Sequence, residues 1–283
     1  MRLKAIIRRL IETTGYTVHR LPKSTDRAAR VSYGPRNRRK NDLEKFFLAN
    51  DGRVIHKWMH YFEIYDRHFS RFRGTDAHIV EIGVGAGGSL RMWKKYFGPK
   101  CTITGVDVVN ESKLFEEEQV QIVIGDQADR EFLRELAAAL PRIDILIDDG
   151  GHEMDQQIVT FEELFPHVAP TGVYLCEDLH TSYLPDFGGG YKKPGTYIEY
   201  SKSFIDYLHA WHAGDAQSLT VTEFTKSAYS LHYYDSILVI EKRPMEAPLD
   251  LATGSPVGHD NPYLLKLLEL SKAHFASRLD RYR

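Results

Sequence analysis

Short apolar runs alternate with amphipathic stretches between residues 78 and 176. His78–Ile82, Cys101–Val108, Val120–Ile124, Ile143–Ile147 and Gly172–Cys176 read as strands, most of them followed by a glycine or an acid. Ser89–Phe97, Arg130–Ala139 and Met154–Leu164 carry helical spacing between them. Strands alternating with helices predict a mostly parallel sheet with right-handed crossovers. The alternation stops after residue 176. Residues 179–200, with Gly188-Gly189-Gly190, Pro194 and Gly195, read as loop, and 201–212 as helix. Two strands follow at about 219–234 and 236–242, separated by Asp235 alone. So short a connection makes them antiparallel. A Pro/Gly stretch at 244–262 leads to a terminal helix at about 262–281. Ahead of the first strand, Trp58, Tyr61, Phe62, Tyr65 and Phe69 predict a helix over about 56–72 with its aromatic stripe in the core. Residues 2–13 read as a short amphipathic helix, and 14–45, with Pro22, Gly34 and Pro35, as an extended arm. The expected division is 1–50 for helix and arm, 51–243 for the α/β domain, and 244–283 for the tail.

Composition narrows the class. The chain has 283 residues, 42% hydrophobic and 27% charged, which excludes collagen-like, mucin-like and wholly disordered readings. No apolar run approaches the ~20 residues of a membrane helix. The N-terminal apolar run is too short for a secretory signal. Cys101 and Cys176 both lie in strand-like runs, so neither a disulfide framework nor a zinc cluster is expected, and a cytoplasmic setting is. The net charge of −2 hides an asymmetry: residues 1–40 hold twelve Lys/Arg against Glu12 and Asp26. That segment suits peripheral contact with an anionic surface, or packing on a neighbouring subunit; the second is the preferred reading, and nucleic acid is not expected.

Three features carry chemistry. The first is the glycine loop Glu81-Ile82-Gly83-Val84-Gly85-Ala86-Gly87-Gly88-Ser89, which leaves one strand and opens a helix. Its glycines let backbone approach a cofactor, and Asp107, at the end of the next strand, suits the two hydroxyls of a ribose. Nicotinamide and S-adenosylmethionine sites share this geometry. Glu81 beside the loop repels a pyrophosphate and suits a cationic ligand, which favours S-adenosylmethionine. Asp126 and Gln127, after the third strand, lie where adenine is expected. The second feature is acidic: Asp148, Asp149 and His152 follow the fourth strand, and Glu177 and Asp178 the fifth. Adjacent parallel strands are about 4.8 Å apart, so Asp149, Glu177 and Asp178 crowd one volume and call for a cation, best Mg²⁺. The third is His152, placed to take a proton from a hydroxyl held there. His180 is expected in support, and Tyr183 with residues 186–195 as a cover over an acceptor.

The run HKWMHYFEIYDRHF, followed by EIGVGAGGSLRMW, GDQAD, DDGGH and CEDLHTSY, resembles the Mg²⁺-dependent sugar O-methyltransferases of macrolide biosynthesis and their rhamnosyl O-methyltransferase relatives, over about residues 50–242. The resemblance implies a Rossmann-like class I methyltransferase fold, seven-stranded with an antiparallel last strand, and an oligomer. It implies metal ligands at Asp149, Glu177 and Asp178 and a base at His152. It implies S-adenosylmethionine contacts at Glu81, Gly83, Asp107, Asp126 and Gln127, with Lys57, Trp58 and Tyr61 reaching the cofactor from the preceding helix; Gly85, Ser89 and Asp148 are expected at the cofactor with them. His180 and Tyr183, read above beside the acidic cluster, are expected on the acceptor side of the site. The expected acceptor is a sugar hydroxyl on a natural product, glycolipid or polysaccharide. An NAD-dependent oxidoreductase and a non-catalytic S-adenosylmethionine-binding partner are the competing readings.

Overall fold

The computed structural model describes residues 39–215, 217–255 and 261–278. The expected helix at 2–13 lies outside them, as does nearly all of the arm. A compact unit begins at Asn41. Its sheet comprises β1 (His78–Ile82), β2 (Thr102–Asp107), β3 (Val120–Ile124), β4 (Ile143–Asp148), β5 (Val168–Cys176), β6 (Ala228–Tyr234) and β7 (Ile237–Lys242). The order is β3-β2-β1-β4-β5-β7-β6. The first five strands run parallel; β7 is antiparallel to β5 and to β6. The parallel strands and the antiparallel hairpin are those the residue pattern predicted, and the seven-stranded whole is what the resemblance implied. Strand order reverses between β1 and β4, and in open α/β sheets the ligand crevice lies outside the C-terminal ends of the strands at such a point.

The strand alternation sorts the core into two layers. One face packs against α1 (Asp42–Leu48), α2 (Tyr61–Phe69) and α3 (Gly88–Phe97), with Phe62, Tyr65, Phe69 and Trp93 fully buried. The other packs against α4 (Arg130–Ala139), α5 (Met154–Leu164), α6 (Tyr197–Ser201) and α7 (Ser203–Leu208). Ile79 belongs to the first layer and Val80 and Ile82 to the second. Glu81 shares the parity of Ile79, which sends its carboxylate into the aromatic layer. The short α8 (Glu223–Ser227) precedes β6, and α9 (Pro262–Arg278) lies near the C-terminus, joined to the preceding stretch where Ala252 N–H donates to Ser271 Oγ. No helix among the described residues is long and apolar enough to cross a membrane.

Five local expectations change. The end of the 179–200 stretch, read as loop, forms α6 from Tyr197, because the Thr196 side chain caps it through Glu199 N–H. Residues 42–48, read as the end of an arm, form α1, because Asn41 and Glu44 close a capping box and Leu43 enters the core. The helix expected over 56–72 is α-helical only over Tyr61–Phe69, with a 3₁₀ turn at Ser70–Phe72. Residues 54–58 instead form no regular secondary structure, with Val54 and Ile55 against Gly88, so Lys57 and Trp58 are loop residues. Thr222 and Thr225 form a further capping box that makes 223–227 helical and delays β6 to Ala228. The fifth strand begins at Val168 rather than Gly172, with a register shift against β4.

Candidate functional site

The glycine loop is held by steric necessity. Gly83 has φ +90°, and a Cβ there would lie 2.0 Å from the carbonyl oxygen of Asp149. Gly88 opens α3 against the Val54 carbonyl, which a Cβ would meet at 2.2 Å. The chain just before Lys57 therefore lies directly on the loop. Asp107 Oδ2 accepts from the backbone N–H groups of Val84 (3.0 Å) and Gly85 (2.9 Å), and its Oδ1 from Val109 (2.9 Å). Val108, next in the chain, and Leu114 are exposed apolar side chains. A carboxylate flanked by apolar surface is a fit for an adenosine.

Glu81 is fully buried. It accepts from the Ser89 hydroxyl and the Trp93 indole N–H, each at 2.9 Å. Ser89 thus faces Glu81. Burial raises the Glu81 carboxyl to about 7, with Lys57 opposing. The unfolded chain loses this proton near 4.5, whereas the folded chain keeps it to about 7. Between those values the folded state binds the extra proton, so the contribution is present below pH 4.5 and is lost as pH rises through about 7. Glu81→Gln removes that dependence. In urea denaturation with EDTA, the wild type is expected to lose about 3 kcal/mol relative to the variant between pH 5 and pH 8. Parallel pH profiles would contradict this.

Gln127 and Asp148, expected at the cofactor, are turned inward. Gln127 Nε2 donates to Asp148 Oδ1 (3.0 Å) and Thr160 Oγ1 (3.1 Å), and its Oε1 accepts from Gly151 N–H (2.8 Å). Burial raises the Asp148 carboxyl to about 7. Asp126 is exposed and caps its own turn through Ala128 N–H.

The acidic residues meet as the strand order requires. Asp149 N–H donates to Ile82 O, and Glu177 N–H to Asp148 O, each at 2.9 Å, which places the strand ends side by side. Asp178 and His152 have φ of +53° and +60°. Such backbone is costly for these residues and concentrates at functional sites. His152 Nε2 lies 3.4 Å from Asp178 Oδ2 and 3.8 Å from Asp149 Oδ1. Asp149, His152 and Asp178 each bring a ligand atom within 4.8 Å of the others. The His152 Nδ1 atom is buried and has no hydrogen-bond partner among the described residues. Burial lowers the His152 pKa against the pull of Asp178.

Glu177 sits behind this trio, 1% exposed, with both oxygens engaged. Tyr65 donates to Oε1 at 2.7 Å, and the Lys57 ammonium lies 2.8 Å from Oε2. Lys57 also contacts Asp149 Oδ2. Its side chain is 3% exposed, and although burial opposes the charge, Asp149 and Glu177 hold its pKa above the usual lysine range. Burial raises Glu177 to about 8 and Asp149 to about 7, with Lys57 opposing both. Lys57, expected at the cofactor, is thus the counter-ion of the acidic centre. Tyr61, also expected there, donates to Asp178 Oδ1 at 2.6 Å. His180 Nδ1 is 3.1 Å from Ser236 Oγ and 3.9 Å from Asp178 Oδ1, and Tyr183 stands exposed beyond it.

Sequence reasoning missed Tyr65, Trp93 and Gln157, whose Nε2 donates to the Glu177 carbonyl at 3.0 Å. Tyr65 had a signal. It lies four residues after Tyr61, so both hydroxyls leave one face of α2.

Residues 80–179 match the family described as "Methyltransferase domain". The 8-demethyl-8-alpha-L-rhamnosyl tetracenomycin-C 2'-O-methyltransferase of Streptomyces olivaceus is 36% identical over 71% of this chain and 58% of its own length. Demethylmacrocin O-methyltransferase of Streptomyces fradiae is 38% identical over 66% of this chain and 50% of its own. The solved structure of MycE methyltransferase from the mycinamycin pathway, in complex with Mg and SAH, superposes with a TM-score of 0.66 at 32% identity, covering 81% of this chain and 60% of that one. This chain is a homologue of the sugar O-methyltransferases. It spans about half the length of the curated relatives it matches. A second MycE structure holds Mg, SAH and mycinamycin VI together. The glycine loop and the acidic centre both fall within the family-matched residues 80–179, and Lys57, Tyr61 and Tyr65 lie before them.

Proposed function

We propose that this chain is an S-adenosylmethionine-dependent, Mg²⁺-dependent O-methyltransferase acting on a sugar hydroxyl of a glycosylated natural product, glycolipid or polysaccharide. The observation that carries the reading is the meeting of Asp149, Asp178 and His152 beside the glycine loop, with Glu177 neutralised behind them. The carboxylates of Asp149 and Asp178 offer hard oxygen donors within 4.8 Å of one another, which fits a small divalent cation. Asp149 and Asp178 would hold it, with Glu177 completing the set through the lone pairs that Lys57 and Tyr65 leave free. Bound Mg²⁺ supplies Lewis acidity that lowers the pKa of an acceptor hydroxyl.

The chain's own residues do the rest. Gly83 and Gly85 let the backbone approach S-adenosylmethionine, and Asp107 accepts from its ribose. Glu81 braces the loop through Ser89 and Trp93 rather than contacting the cofactor. His152, kept neutral by burial, would take the acceptor proton at Nε2, and S-adenosylmethionine would supply the methyl group. Tyr61 and Tyr65 fix Asp178 and Glu177, so the carboxylates need not reorganise. The names of the relatives favour this reading over a nicotinamide oxidoreductase or a non-catalytic partner.

Titrating S-adenosylmethionine into the protein with Mg²⁺ or with EDTA, by calorimetry, tests it. Micromolar binding in both buffers is expected, about −8 kcal/mol. An additional heat on adding Mg²⁺ to the cofactor complex is expected, and Asp149→Ala abolishes it. Absence of cofactor binding in either buffer would refute the reading.

A further inference from the structure

Alternation along β6 puts Ser230, His232 and Tyr234 on one face of the strand. Antiparallel pairing sets Glu241 of β7 opposite Ser230, and Val239 opposite His232. Val239 belongs to the core layer beneath α2, so this face meets that helix. There α2 presents His68, seven residues past Tyr61 and three past Tyr65 on the same helix face.

His68, His232 and Glu241 each bring a ligand atom within 4.8 Å of the others. The two imidazole centroids are 4.7 Å apart. His68 Nδ1 lies 2.9 Å from Glu241 Oε1, and its Nε2 lies 2.9 Å from the Tyr234 hydroxyl. His232 Nε2 lies 3.0 Å from Ser230 Oγ. Each ring thus has one nitrogen held by a hydroxyl, the outer hydrogen bond that orients a metal-bound imidazole. A hydroxyl accepts as well as donates, so Tyr234 serves His68 in either tautomer. Burial lowers the His68 pKa and keeps the ring neutral. Burial opposes ionisation of Glu241, but His68 and Arg71 hold its carboxyl below the usual range. Neutral imidazole and ionised carboxylate are the forms that bind metal. Arg71 Nη1, 3.3 Å from Glu241 Oε1, competes for that oxygen; its side chain is 46% exposed and can turn to water. His232 and Glu241 are only half-buried, so an ion reaches them from solvent.

We propose that His68, His232 and Glu241 bind a Zn²⁺-class ion, with water in the fourth position, and that the ion pins α2 to the β6–β7 hairpin. Two imidazoles and one carboxylate suit Zn²⁺, Co²⁺ or Ni²⁺, whereas Mg²⁺ prefers oxygen alone. The site is separate from the acidic centre. Glu241 pairs with Val173 of β5, and Glu177 lies four residues further along that chain, about 13 Å. Helix α2 joins the two places, because its Tyr61 and Tyr65 hold Asp178 and Glu177. The site uses no thiol, so the cysteine positions give no sign of it.

The test is calorimetric titration of zinc chloride into the EDTA-stripped full chain in Mg²⁺ buffer, for the wild type, Asp149→Ala, His232→Gln and Glu241→Gln. One ion is expected to bind the wild type and Asp149→Ala with micromolar affinity. His232→Gln and Glu241→Gln are expected to bind it about a hundredfold more weakly, since a lost ligand costs at least as much as a lost outer partner. Zn²⁺ at a hundredfold excess over its Kd is expected to raise the melting midpoint of the wild type by about 5 °C and to leave those two variants nearly unmoved. No binding to the wild type would overturn the proposal. Binding that survives in His232→Gln and Glu241→Gln, or that only Asp149→Ala abolishes, would place the ion elsewhere and overturn it too. If neither ligand variant folds, the visible spectrum of Co²⁺ in the wild type decides. Strong four-coordinate absorption supports the site, and weak six-coordinate absorption overturns it. Each of these failures leaves the O-methyltransferase reading as it stands.

Discussion

His152→Ala is expected to bind S-adenosylmethionine as the wild type does and to turn over about a thousandfold more slowly, the usual scale for a lost general base. The ring is positioned to act: Nε2 lies 3.4 Å from Asp178 and 3.8 Å from Asp149, where an acceptor hydroxyl would sit. Burial keeps it neutral, lowering its pKa below the ordinary 6.5. The wild type should therefore show an acid limb in kcat/KM centred below pH 6.5, and the variant should lack it. A variant that keeps near-normal turnover, or the same acid limb, would remove His152 from the mechanism. Cofactor affinity separates this from misfolding, because His152 makes no contact with the glycine loop that the affinity depends on.

Lys57→Met carries the second large effect, on stability. The Lys57 side chain is 3% exposed, and its ammonium faces two carboxylates whose pKa values burial raises to about 7 and about 8. Removing one partner of a buried ion pair leaves the other charge uncompensated, at a cost of about 3–5 kcal/mol. At pH 8 in EDTA the variant is expected to unfold at lower denaturant by that amount. At pH 6 the loss should shrink, because Asp149 and Glu177 then take up protons instead. Saturating Mg²⁺ should narrow the gap at pH 8, since the carboxylates that Lys57 no longer neutralises bind the cation more tightly in the variant, and the folded state gains correspondingly more by mass action. Equal stability of the two proteins at pH 8, or a gap that Mg²⁺ leaves untouched, would show that Lys57 is not the counter-ion of the centre.

Much of this molecule was legible in its residues. Strand runs closed by glycine or acid predicted the parallel sheet, and Asp235 between two apolar runs predicted the antiparallel hairpin. Both are local signals, set by side-chain period and turn length. The meeting of Asp149 with Glu177 and Asp178 also followed, because adjacent parallel strands deliver their C-terminal ends to one edge. The aromatic stripe was harder to read. Tyr61, Tyr65, Phe62 and Phe69 all fit a buried helix face, and period alone does not distinguish a phenol that packs from one that donates to a carboxylate.

What the sequence by itself determined was the order of elements and which strand ends carry the acids, because alternation, spacing and turn residues act within a few residues of one another. Only the tertiary structure decided the partners. It turned Gln127 onto Asp148, Ser89 and Trp93 onto Glu81, and Lys57 onto Asp149 and Glu177, 92 and 120 residues away. The reason is energetic: a buried charge or amide must find a partner within about 3 Å, and the partner is whichever group the packed fold brings there, at any distance along the chain.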